Sequence, residues 1–295
     1  MNTFGRVLTA MITPFTSDGA VDFDGAVTLA NYLLDNGSDG VVICGTTGES
    51  PSIAREDKLE LFRRISAACG ERGTIIANVG TNNTQQSVDF TKEASETGVD
   101  GLMAVIPYYN KPTQEGIYGH FRAIAEATEL PIIVYNVPGR TSSKITPETL
   151  ARLHNDFPNI KAVKEASGDL NVASNMYRLL PKDFMIYSGD DALTLPLLSV
   201  GGCGVISVAG HIVGKELNEL IQAFEKGDIE RARELQAYLM PFLDAMFITT
   251  NPIPVKTAVR RLGLPAGPFR LPMCEGTPEE QAFVNGMVDL YRGER

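Results

Sequence analysis

A chain of 295 residues with 36 acidic against 26 basic side chains has a formal charge of -10, which argues against nucleic acid and against an anionic membrane as partners, since both reward clustered Lys and Arg. Hydrophobic residues at 43%, charged residues at 21% and a mean hydropathy of -0.03 exclude disordered and fibrous classes, and the length suits one large α/β domain or two ordinary ones. Cys44, Cys69, Cys203 and Cys274 form no C-x-x-C pair, and the apolar run 7–12 is too short for a leader or a span before Pro14, so thiols in a reducing, cytoplasmic setting are expected.

Runs rich in Val, Ile and Leu recur at 7–12, 41–44, 74–79, 101–106, 132–136, 160–164, 184–188 and 204–208, which predicts eight strands. Helical periodicity falls between them, as in Val27, Ala30, Leu33 and Leu34, then Leu59, Phe62 and Ile65, then Ile117, Phe121, Ile124 and Ala125. A weak internal repeat, Gly37-Ser38-Asp39-Gly40-Val41 and Gly98-Val99-Asp100-Gly101-Leu102, marks the same helix stop and strand entry twice. Strand and helix alternating eight times before about residue 225 predict a (β/α)8 TIM barrel, which typically takes ~250 residues. A dinucleotide fold would need G-x-G-x-x-G after its first strand, and that motif is absent. From Gly227 the pattern is purely helical, with helices expected over 229–247, 254–262 and 278–291 and a break at Asn251-Pro252-Ile253-Pro254. The chain therefore divides into a barrel, residues 1–226, and a C-terminal helical extension, residues 227–295.

Barrel chemistry collects where the strands end, so the polar residues there belong together. The sixth strand ends on Lys164, which a period of two places on one face with Ala162 and Ile160. A lysine with its ordinary pKa of ~10.4 is almost wholly protonated near neutral pH, so a nucleophilic role needs a desolvating site. The second strand leads into Gly45-Thr46-Thr47-Gly48-Glu49-Ser50, whose hydroxyls and amides suit a carboxylate; a cap for the helix near Glu56 is the plainer reading. Pro107-Tyr108-Tyr109-Asn110-Lys111-Pro112 follows the fourth strand, and Tyr135-Asn136-Val137-Pro138-Gly139-Arg140 ends the fifth. A phenol carries protons and a guanidinium fork holds a carboxylate, so the set points to amine catalysis on an acidic carbonyl compound. Ser188-Gly189-Asp190-Asp191 ends the seventh strand and reads as a helix cap rather than a metal site. His120, His154 and His211 lack ligand spacing, so no metal is expected, and Lys256 rivals Lys164 only if the helix there fails.

Gly45-Thr46-Thr47-Gly48-Glu49, the Tyr108-Tyr109 and Tyr135 to Thr141 motifs, Val163-Lys164-Glu165-Ala166 and Ser188-Gly189-Asp190-Asp191 together resemble the 4-hydroxy-tetrahydrodipicolinate synthase (dihydrodipicolinate synthase) family of pyruvate-dependent lysine aldolases, up to about Pro272. The resemblance implies a TIM barrel with a helical extension, pyruvate and L-aspartate-4-semialdehyde as substrates, and no cofactor. It implies that Lys164 forms the Schiff base, with Tyr135 as proton carrier linked through Thr46 to Tyr109 of a neighbouring subunit. Thr47 would hold the pyruvate carboxylate, Arg140 the semialdehyde carboxylate, and the carbonyls of Gly189 and Ile206 would orient the reacting groups. A homo-oligomer, a tetramer built as a dimer of dimers, goes with it.

N-acetylneuraminate lyases and 2-keto-3-deoxy sugar acid aldolases share the lysine and tyrosine, but Arg140 suits a second carboxylate better than a polyhydroxyl chain. A non-enzymatic 2-oxo-acid sensor would not need the proton-relay residues present here. In family members inhibited by L-lysine, the resemblance sets Ser50, Asn82 and Tyr108 in the lysine cleft; Arg55 and Lys58 stand for histidines and Gln86 for a glutamate. The substitutions remove an anionic partner and add cations, so weak or absent inhibition is expected.

Overall fold

A computed structural model describes residues 4–293. Its elements run β1 (Val7–Ala10), α1 (Phe23–Asp35), β2 (Gly40–Ile43), α2 (Arg55–Cys69), β3 (Thr74–Asn78), α3 (Thr84–Ser95), β4 (Gly101–Val105) and α4 (Gln114–Ala125). Then come β5 (Ile132–Asn136), the single turn α5 (Pro138–Thr141), α6 (Pro147–Asp156), β6 (Ile160–Glu165), α7 (Leu170–Leu179), β7 (Met185–Ser188), α8 (Thr194–Ser199), β8 (Gly204–Ser207) and α9 (Gly210–Glu225). Helices α10 (Ile229–Ala245), α11 (Ile253–Arg261) and α12 (Pro278–Gly293) complete the chain. The eight strands close in sequence order, β8 pairing in parallel with β1, into the barrel that the alternating pattern predicts.

Two strand entries share one device. Gly37 and Gly98, the glycines of the internal repeat, take left-handed φ of 102° and 86°, which stops each helix at no Cβ cost. The aspartate two residues later binds backward onto the neighbouring strand. Asp39 Oδ2 accepts from the amides of Arg6 and Val7 at 2.6 and 3.0 Å, and Asp100 Oδ2 accepts from Ile75 N at 2.8 Å. The sequence suggests an Asp-Gly turn; the structure makes the acid a tie between adjacent strand starts.

Alternating side chains divide the core in two. Leu8, Val42, Ile76, Met103, Ile133, Ala162, Met185, Tyr187 and Ile206 fill the barrel interior, while the intervening residues pack outward on the helices. Ile160 departs from the expected face: it packs with the outer core, whereas Ala162 lies inside with Tyr135. The reason is a register shift, since Ile132 pairs with Ile160 but Ile133 pairs with Ala162, so Lys161 is skipped.

The C-terminal helices pack beside α9, and Tyr291 at the end of α12 donates to Glu216 Oε2 at 2.8 Å. Residues between α10 and α11 return to the mouth of the barrel, where Asn251 Nδ2 meets Thr47. No described helix is long and apolar enough to cross a membrane.

Candidate active site

Lys164 and Tyr135 are register partners on β6 and β5, so both enter the barrel mouth at one height. The Lys164 ammonium nitrogen lies 4.6 Å from the centroid of the Tyr135 ring, and Lys164 is 5% exposed. Its neighbour Glu165 turns the other way, accepting from Asn136 Nδ2 at 2.8 Å and Ser167 N at 2.6 Å, and burial pushes its carboxyl above the usual range. Lys164 is thus left without an ion-pair partner among the described residues. Space for its stem requires Gly189: a methyl there would sit 3.1 Å from Lys164 Cγ and Cε and 2.5 Å from Ala166 Cβ.

The amine opens on a cavity of about 440 Å³ lined by Gly45, Thr46, Thr47, Tyr135, Arg140, Gly189 and Asp190, with Phe247, Thr250 and Asn251 closing one side. A second cavity of about 620 Å³ shares Thr46, Tyr135, Arg140 and Asn251 with the first and extends past Lys58, Phe90 and Tyr108 to Leu271. Tyr135 therefore stands in the wall between them.

Five of the expected site residues besides Lys164 come together at the first cavity: Tyr135, Thr46, Thr47, Arg140 and Gly189. Tyr109 does not. It is 88% exposed, at a φ of 71°, and lines neither cavity of its own chain. Ile206 is packed in the barrel interior at 1% exposure, and Val208, two residues on, lines the cavity in its place.

The loops carrying these groups hold their backbones under strain. All five non-glycine residues with positive φ among those described, Cys44, Glu49, Tyr109, Lys111 and Ser142, lie just after β2, β4 or β5. Glu49 shows what fixes one such bend. Its side chain accepts from Lys256 Nζ at 2.6 Å and from Arg270 N at 3.1 Å, while Thr13 Oγ1 donates to Gly48 O at 2.8 Å. The loop is braced from the segment after β1 and from α11, and it does not cap α2, whose N-cap is Ala54.

Lys256 lies within α11, as the helical pattern expects, and its amine is fully enclosed against Glu49. Burial pushes its pKa down, and the carboxylate beside it pushes back. Asp190 caps the turn after β7 by accepting from Ala192 N at 3.0 Å. Asp191, fully buried, accepts from the amides of Val208 and Ala209 at 2.9 and 3.2 Å and so ties β7 to the end of β8. Among the described residues no group of three or more His, Cys, Asp or Glu is arranged to hold a metal ion. His120 and His211 are both buried structural groups, bonded to Thr84 and to Val208 respectively.

Residues 247–251 are the part of the wall that sequence reasoning missed. Asn251 donates from Nδ2 to Thr47 Oγ1 at 3.0 Å, and its backbone oxygen accepts from Arg140 Nη2 at 3.4 Å. The only signal was the Pro-flanked break at Asn251-Pro252-Ile253-Pro254, which marks a turn without saying where its side chain points.

The model of the dihydrodipicolinate synthetase family matches residues 3–289. The 4-hydroxy-tetrahydrodipicolinate synthase of Moorella thermoacetica is 55% identical, covering 95% of this chain and 96% of its own, and that of Thermosynechococcus vestitus is 52% identical, covering 98% of each. Among solved structures, dihydrodipicolinate synthase from Cyanidioschyzon merolae with lysine bound superposes with a TM-score of 0.96 at 44% identity over 99% of both chains. A chloride-inhibited dihydrodipicolinate synthase from Acinetobacter baumannii complexed with pyruvate does so at 0.93 and 34% identity, over 97% of this chain and 98% of that one. An unpaired lysine at the mouth of a closed barrel and a likeness that runs nearly end to end lead to one conclusion: this enzyme belongs to the dihydrodipicolinate synthetase family.

Proposed function

We infer that the chain condenses pyruvate with L-aspartate-4-semialdehyde to 4-hydroxy-tetrahydrodipicolinate, the aldol-type step of lysine and diaminopimelate biosynthesis. The observation that carries the reading is the buried, unpaired amine of Lys164 facing a cavity that Arg140 and the two threonines make anion-binding. In this reading Lys164 Nζ adds to the ketone of pyruvate and water leaves, giving an imine. Loss of a methyl proton gives the enamine, whose carbon attacks the aldehyde while the aldehyde oxygen takes up a proton. The amine of the new chain then adds to the imine carbon and displaces Lys164. No cofactor enters, because the protonated imine is itself the electron sink.

Tyr135 is the proton carrier, and its place in the wall between the two cavities lets protons pass toward the second. Thr47 and the loop amides hold the pyruvate carboxylate, and Arg140 holds that of the semialdehyde. Gly189 and Ile206 orient the reacting groups through their carbonyls. Tyr109, exposed on its own chain, completes the relay of a neighbouring subunit, so the working form is a homo-oligomer, a tetramer built as a dimer of dimers. Residues 1–226 act as the catalytic barrel and 227–295 as its helical extension, in a cytoplasmic enzyme.

Borohydride reduction in the presence of pyruvate tests the central step. The expected outcome is an irreversible label on Lys164, lost in Lys164→Ala; a label on Lys256 instead, or undiminished labelling of the variant, would overturn the assignment. Sugar-acid aldolase activity is the competing reading, and faster turnover of pyruvate with a polyhydroxy aldehyde than with aspartate semialdehyde would favour it.

A further inference from the structure

Asn251 is 7% exposed, lines both cavities, and has spent its amide nitrogen on Thr47 Oγ1 at 3.0 Å. That bond makes the Thr47 oxygen an acceptor and leaves its own proton free to be donated into the cavity. The side-chain oxygen, Oδ1, is buried without any partner, which is uncommon for a buried acceptor and points to a ligand group that supplies the missing donor. The backbone oxygen of the same residue accepts from Arg140 Nη2 at 3.4 Å, so the orphaned acceptor and the guanidinium stand side by side.

We propose that Asn251 is a specificity-determining residue: its Oδ1 accepts a hydrogen bond from the α-ammonium group of an amino-acid aldehyde whose carboxylate rests on Arg140. The proposal rests on the aldol reading above and names what selects the second substrate. An α-amino acid carries a cationic donor one carbon from its carboxylate, and a carboxylate site beside an unsatisfied carbonyl oxygen matches that pair of groups. Arg140 and Lys164 are the cationic side chains on this cavity wall, and neither could receive an ammonium. Asp190 is the one acid on the wall; it accepts from Ala192 N and follows Gly189 at the end of β7. It makes no hydrogen bond or ion pair with Arg140 among the described residues, whereas the Asn251 backbone oxygen accepts from it.

The test compares L-aspartate-4-semialdehyde with 4-oxobutanoate, which keeps the aldehyde and carboxylate and lacks the amine; because release from Lys164 needs that amine, each aldehyde is read in a single turnover, by the rate at which it consumes the pyruvate enamine already formed on Lys164. The wild-type enzyme should favour the amino-bearing aldehyde in the second-order rate constant of this step by roughly ten-fold or more, the effect of one charge-assisted hydrogen bond. Asn251→Ala should collapse that preference, because loss of the Thr47 contact acts at the pyruvate stage and lowers both aldehydes alike. Equal falls for the two aldehydes, or a preference that survives Asn251→Ala and disappears in Asp190→Asn, would overturn the assignment while leaving the aldol reading intact. Should Asn251→Ala fail to fold, equal single-turnover rate constants for the two aldehydes in the wild type overturn it without any variant. No turnover of aspartate semialdehyde by the wild type, with Lys164 still labelled by pyruvate and borohydride, rejects the choice of substrate and this proposal together.

Discussion

Lys256 is wholly enclosed, with Nζ 2.6 Å from Glu49 Oε1 and 4.2 Å from the centre of the Phe15 ring. The Lys256 amine is engaged by its carboxylate, whereas Lys164 meets a phenol ring and open cavity. On the proposed reading the two buried lysines divide between structure and chemistry, and the division predicts different variant behaviour. Lys256→Met leaves the Glu49 carboxylate buried and uncompensated, which costs about 3–5 kcal/mol. The double variant Lys256→Met with Glu49→Leu should recover a good part of that loss in a denaturant titration. A single variant as stable as the wild type would show that the pair contributes nothing. Which lysine served which purpose was only half legible beforehand. A charged residue closing an apolar run stands out in any reading, so Lys164 was found from sequence; the partner that neutralises Lys256 lies 207 residues away and has no local signature.

The loops and helices above the barrel decide what the second cavity can bind. Lys58 on α2 lines it with Ser50 and Tyr108, and burial pushes its amine below the usual lysine range. Arg55 does not line it, for its Nε donates to Glu93 Oε2 at 2.7 Å and its guanidinium lies 5.3 Å over Phe90. The repulsion expected from two cations therefore narrows to Lys58, while Gln86 on α3 still brings no charge. L-lysine carries two ammonium groups and should inhibit weakly or not at all. Half-inhibition below about 1 mM in an initial-rate titration, an affinity near -4 kcal/mol or better, would mean that the cleft still works. At this scale the eight strands were readable from sequence because apolar runs and glycine stops are local signals. The inward or outward sense of Ile160 was not, because it depends on a register shift against β5 that no property of β6 alone encodes. The reach of residues 247–251 into the barrel mouth was hidden for the same reason, as were the ties made by Asp39, Asp100 and Asp191 to neighbouring strands.

Across the whole molecule, buried titratable groups make stability depend on pH. His211 accepts from Ile12 N at 3.2 Å through Nε2 and so donates from Nδ1 to Val208 O at 2.8 Å, an arrangement that only the neutral ring can make. Burial lowers its pKa to about 4, from the ordinary imidazole value of 6.5. Between those two values the unfolded chain binds the proton and the folded chain does not, so stability falls as pH drops through that window and levels off below it. Glu165 and Asp191, raised by burial, act with the opposite sign, so the clean measurement is a difference. The unfolding free energy of the wild type minus that of His211→Gln should be constant above about pH 6.5 and shrink by on the order of 3 kcal/mol toward pH 4. A difference that does not vary with pH would mean that His211 titrates normally. The site itself is assembled from two sources: strands β5 and β6 supply the tyrosine and the lysine, while the stretch between α10 and α11 supplies the far wall. On the proposed reading, the imine-forming pair and one of the two groups that select the aldehyde, Asn251 but not Arg140, are written in separate stretches of one gene. Exchange of the 3′ portion between related aldolases should then shift the preference among aldehydes while Lys164 and Tyr135 are inherited unchanged.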